Sequence, residues 1–147
     1  MALTACVPAA SEPSPSTPGT TVSADVRIVN APGQTFSLDD VIVPGKVTVV
    51  DFYADWCAPC RDIDHRLRTF AAQEPRVAIR KINVVHMESP VAVQYRLDTL
   101  PFVLVIDQQG TIRHRLAGPQ ARRAAAYAAR LISSPVAEEN LSTLAER

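Results

Sequence analysis

Net charge, long apolar runs and an abundance of cysteine are all missing from this chain. Its 15 basic and 15 acidic side chains cancel, so no electrostatic footprint favours nucleic acid as a partner. No apolar stretch reaches the roughly 18 residues that a transmembrane helix needs. Three cysteines are too few for a disulfide framework. A second CxxC or paired histidines, which would complete a zinc site, are absent as well, and no internal repeat is visible. What remains, at 147 residues, is one domain plus tails, long enough to bury a core.

The stretch from Val47 to Arg61, VTVVDFYADWCAPCR, organises the rest. Its apolar, β-branched start reads as a strand buried on both faces, as in the middle of a parallel sheet. Asp51 interrupts that run, and a carboxylate there is costly unless it has a partner or a task. Cys57 and Cys60 follow where the pattern changes from strand to helix. At i and i+3 on a first helical turn they share a face and come within disulfide reach. A helix N-terminus stabilises negative charge, which lowers the pKa of a cysteine placed there. These features define a redox site.

The segment Asp51 to Cys60, DFYADWCAPC, closely resembles the active-site strand and turn of thioredoxins. Lys81-Ile82-Asn83 resembles the family's strand whose lysine lies near the buried aspartate. Thr99-Leu100-Pro101-Phe102 resembles the loop that carries its cis-proline. Gly118 falls where the family has a glycine after the last strand. The resemblance runs from about Val26 to Ile132 and implies the α/β thioredoxin fold, a mixed central sheet with helices on both faces. The order of elements read from the sequence agrees with it. Right-handed crossovers place the cysteine helix at the carboxyl end of the central strand.

Those elements begin with an edge strand at Val26 to Val29, then a turn and a short strand or irregular segment from Thr35 to Val43. A helix follows Cys60 to about Gln73, with Ile63, Leu67 and Phe70 continuing the face of Cys60. Cys60 is therefore expected to point inward and Cys57 to stay accessible. His65 replaces a helix-kinking proline of many thioredoxins, which predicts a straighter helix. A strand over Val77 to Val84 precedes a helix capped by Ser89 and running from Pro90 to about Leu97. Phe102 to Ile106 and Thr111 to Leu116 form a hairpin about Asp107 to Gly110. An alanine-rich helix from Gly118 places Ala121, Ala124, Ala128 and Leu131 on one face. Arg122, Arg123 and Arg130 form a solvated face.

Cys57 is the candidate nucleophile and Cys60 the cysteine that resolves the mixed disulfide. The resemblance implies that Asp51 accepts the proton of Cys60, with Lys81 as its partner. Pro101, if cis, leaves the main chain of Leu100 free to pair with a substrate peptide. Ala58 and Pro59 tune the potential, and Trp56 shields the disulfide at the docking surface. The expected activity is thiol–disulfide exchange, in the reducing direction, on proteins with cysteine pairs. The protein would act as a monomer without a bound cofactor and be recharged by a membrane electron donor. A disulfide-donating oxidant stays open, as does a metal or partner carrier, with copper on the cysteines and His86-Met87.

Residues 1–24 carry the signs of location. Leu3-Thr4-Ala5-Cys6 resembles a bacterial lipobox, with Cys6 as the lipidation site, although no basic region and no apolar run of about 7 to 15 residues precedes it. Val7 to Ser23, with prolines at 8, 13, 15 and 18, reads as a flexible tether. Gly45-Lys46 resembles the lead-in of extracytoplasmic thiol reductases. The expectation is a periplasmic, lipid-anchored protein, with a cytoplasmic location as the alternative. The domain spans 25–132, and 133–147 form a tail.

Overall fold

A computed structural model describes residues 23–134. Five strands form one sheet: β1 (Val26–Ile28), β2 (Val47–Tyr53), β3 (Val77–Asn83), β4 (Phe102–Ile106) and β5 (Ile112–Ala117). Their order is β1-β3-β2-β4-β5. β1, β3 and β2 run parallel, whereas β4 is antiparallel to both β2 and β5. The expected mixed sheet is therefore present. Helix α1 (Ala58–Gln73) follows β2, α2 (Pro90–Gln94) follows β3, and a 3-10 turn at Gly118–Arg123 leads into α3 (Ala124–Ser133).

The period of two along the strands assigns each side chain to a layer. Val47 and Val49 of β2, Val77 and Ile79 of β3, and Val103 and Val105 of β4 pack under α1 and α3. The alternate positions Val50, Phe52, Ile82, Leu104 and Ile106 face the other way, against Val91 and Ala92 of α2. Phe52 is fully buried there, beside Phe36, Tyr95 and Phe102, at ring separations of 5.1 to 6.1 Å. On the first face Ile63 and Leu67 are each 2% exposed. Truncating such a residue to alanine costs about 2 to 5 kcal/mol. The same alternation carries Asp51 and Lys81, next in the two odd-numbered series and opposite each other in register, onto the α1 face.

Helix α1 runs unbroken through His65. The segment 35–43 is irregular, with a turn at Asp39 to Val41, and contains no strand. Two helices differ from expectation. α2 ends at Gln94 rather than near Leu97. Arg96 takes a left-handed φ of 51°, and Arg96 N–H and Leu97 N–H return to the carbonyls of Val93 and Ala92, a Schellman closure. Gln94 exchanges hydrogen bonds with both backbone groups of Phe36 (3.2 and 2.7 Å). In the last helix, the first six residues form the 3-10 turn, which rotates the stripe. Ala121, Ala124, Ala128 and Ile132 are the buried positions, and Leu131 only packs at their margin.

The lipobox-like Cys6, the tether and the tail beyond Ser134 lie outside the described residues.

Candidate active site

β2 delivers its carboxyl end to the turn Ala54–Trp56, and α1 starts immediately after it. Cys57 is the N-cap of α1 and is disulfide-bonded to Cys60, with a Cα–Cα separation of 5.3 Å. Pro59 stands in the first turn, where its missing N–H costs nothing and its fixed φ suits the helix. Tyr53, Ala54 and Leu100 pack around the two cysteines. The Leu100–Pro101 peptide is cis, and the Pro101 carbonyl accepts a 2.8 Å hydrogen bond from Gly118 N–H. Gly118 has a φ of 55°, a conformation in which glycine is least hindered.

One expectation about this surface is corrected. Cys57 is not the accessible member of the pair: both cysteines are 3% exposed, because Leu100 and Ala54 close over them. Trp56 lies at the surface beside this pair. It is 58% exposed, and its indole N–H donates to the Val85 carbonyl at 2.6 Å, which draws the ring toward the loop after β3. Ala58 is exposed on the outer side of the first turn.

Beneath the helix, Asp51 is fully buried. Its Oδ2 accepts from Lys81 Nζ at 2.7 Å, and its Oδ1 has no hydrogen-bond partner among the described residues. Burial raises the Asp51 pKa above the ordinary value of 3.8, and the attraction of Lys81 offsets this only in part. Burial also works against the Lys81 ammonium, but attraction to Asp51 and contacts with both Asp51 and Asp64 outweigh it and hold that pKa above normal. Lys81 Nζ further lies 4.3 Å from the centre of the Tyr53 ring, a favourable cation–π contact.

Asp64 was not foreseen as part of the site. It lies 2.7 Å from Lys81 Nζ and accepts from Arg68 Nε at 2.8 Å. These contacts hold its pKa below normal against the effect of burial. The signal was in the spacing: Asp64 is four residues after Cys60, on the same helix face. A polar cleft of about 350 Å³, lined by Tyr53, Cys60, Asp64, Arg68 and Lys81, opens here. Another groove of about 350 Å³, beside Pro59, is lined by Ile63, Leu100, Pro101, Pro119 and Arg122. His86, considered above for copper, has Nδ1 3.4 Å from Glu88. Among the described residues no group of three or more His, Cys, Asp or Glu is placed to hold a metal ion.

A dithiol/disulfide pair at a helix N-terminus, over a buried acid at the carboxyl end of a central strand, defines a thiol–disulfide oxidoreductase. The comparisons with known proteins agree. The thioredoxin family model matches residues 30–129. The chain is 37% identical over 82 residues to a thioredoxin of Chlamydia pneumoniae, covering 56% of this chain and 78% of that one. It is 33% identical over 98 residues to the mitochondrial thioredoxin-2 of Schizosaccharomyces pombe, covering 67% and 72%. The solved structure of a mutant thioredoxin from Halobacterium salinarum superposes with a TM-score of 0.58 at 28% identity, covering 77% and 96%. The chain belongs to the thioredoxin family.

Proposed function

We propose that this oxidoreductase works as a reductant of protein disulfides, with Cys57 as nucleophile and Cys60 as resolving cysteine. In the reduced protein, the Cys57 thiolate stands at the positive end of α1. It attacks one sulfur of a partner disulfide, and the other partner sulfur leaves as a thiolate that takes up a proton. Cys60 then gives its proton to Asp51 and attacks the Cys57 sulfur. The second partner thiol is released and the Cys57–Cys60 disulfide closes, so two electrons have passed to the partner. Leu100, Pro101 and Pro59 border the groove in which the partner chain would lie.

One observation carries this reading: a fully buried carboxylate, with one oxygen unpartnered among the described residues, sits on the sheet face beneath the cysteine helix. Burial moves its proton affinity toward the range useful for general base catalysis. The cysteines themselves carry the electrons, so no bound cofactor is required. The protein would act as a monomer and be recharged by a membrane electron donor. Location in the periplasm, anchored by lipid at Cys6, rests on Leu3-Thr4-Ala5-Cys6 and the proline-rich stretch after it. Mass spectrometry of the protein expressed from its native gene tests it, since an unlipidated Cys6 would remove the anchor.

Equilibration of the Cys57–Cys60 pair against glutathione tests the direction of electron flow. A potential near about −250 mV or lower is expected for a reductant, whereas about −150 mV or higher would mark a disulfide donor.

A further inference from the structure

Lys81 serves two carboxylates at once. Its ammonium lies 2.7 Å from Asp51 Oδ2 and 2.7 Å from Asp64 Oδ1. The side chain of Asp51 is 1% exposed and that of Asp64 is 32% exposed, so a single cation is divided between the floor and the mouth of one cleft. The surroundings of the pair are few. α1 contributes Arg68, paired with Asp64, together with Arg61 and Cys60; the turn contributes Asp55, β2 contributes Tyr53, and β1 contributes only the apolar Ile28.

An ammonium devoted to Asp51 alone would favour the carboxylate strongly and weaken it as a base. Asp64 competes for that ammonium and adds a like charge of its own. We propose that Asp64 is a positioning residue of the redox site, holding part of Lys81 toward solvent so that Asp51 stays basic enough to take the Cys60 proton. The inference rests on the thiol–disulfide reading above. In the step concerned, the S–H bond of Cys60 breaks and its proton passes to Asp51. The Cys60 thiolate then forms the bond to Cys57 sulfur, and the electron pair of the mixed disulfide leaves with the partner thiolate. The upward direction of the Asp51 pKa agrees: after burial, which dominates, and the opposing pull of Lys81, the charge of Asp64 raises it further.

A carbon-13 NMR titration of the Asp51 carboxyl in the full chain reads this directly. Asp64→Asn should move the Asp51 midpoint down by about one pH unit, a tenfold fall in proton affinity. Asp64→Glu should restore it. With Lys81→Met already present, the Asp64→Asn shift should shrink to the part that the charge of Asp64 exerts directly, because the shared cation is gone. An unchanged or rising midpoint in Asp64→Asn would overturn the proposal, and so would an undiminished shift in the Lys81→Met background. Exchange with glutathione disulfide, measured on the same samples, separates the two levels. A chain that exchanged no disulfide would remove the functional reading while the titration still decided the role of Asp64.

Discussion

Two clefts of similar volume border the first turn of α1, and they differ in charge. The one beside Cys60 is lined by Lys81, Asp64, Arg68 and Tyr53. The one beside Pro59 is built from Ile63, Leu100, Pro101 and Pro119, with Arg122 as its lone charged member. The sheet explains the contrast. Asp51 and Lys81 continue the strand faces that lie under α1, so the polar cleft is an extension of the core in which charge has replaced valine and isoleucine. The other groove lies between α1 and the loops that meet where Pro101 and Gly118 are hydrogen-bonded. On the function proposed above, one side would handle protons and the other would hold a chain. The disulfide between them can then be adjusted for pH and for substrate independently.

Substitutions can break that division of labour. The largest effect should come from Cys57→Ser, which removes the nucleophile and should abolish turnover of a protein disulfide; residual turnover would overturn the mechanism. Cys60→Ser should instead accumulate mixed disulfides, visible on non-reducing gels. Asp51→Asn should slow the resolving step by about 100-fold near neutral pH while leaving KM unchanged, and a change confined to KM would reverse the assignment of the two clefts. On the other side, Leu100→Ala should raise KM for protein disulfides several-fold, about 1 kcal/mol of apolar contact, without altering the pH profile.

Stability provides a smaller test of the polar side. Between the ordinary value of 3.8 and the higher folded value, Asp51 keeps a proton in the folded chain that the unfolded chain has released. The resulting stabilisation is complete below the ordinary value and is lost as pH rises through the higher folded value. Asp51→Asn cannot titrate. It should therefore exceed the parent in stability at neutral pH, by on the order of 1 to 2 kcal/mol, with the advantage shrinking toward acid. Urea unfolding at several pH values measures this, and a variant less stable than the parent at neutral pH would contradict it. Smallest of all is the Asp62–Arg122 contact at 3.2 Å, with both side chains well exposed. Arg122→Ala should leave stability almost unchanged.

Much of this arrangement was legible in the sequence because it follows from period and spacing. Alternation along VTVVDFY and VAIRKIN places Asp51 and Lys81 on one face, and the two cysteines lie where strand pattern gives way to helix. The misread parts depend on choices made in three dimensions. The end of α2 was hidden because Arg96 occupies the left-handed position at which glycine would have marked a stop. The burial of Cys57 depends on Leu100, far along the chain. Asp64 is the exception. Its spacing from Cys60 was visible, but an acid on a helix surface carries no sign of the cation beneath it.

The outermost strands have a consequence for a protein that handles other polypeptides. β1 is only three residues long, and β5, IRHRLA, carries Arg113, His114 and Arg115 in succession. A sheet border this short on one side and this cationic on the other is a poor template for a further strand. Partly unfolded chains, rich in unpaired backbone, could meet this molecule repeatedly without being recruited into its sheet. Such resistance to co-aggregation would keep each encounter brief and confined to the disulfide and the groove beside it.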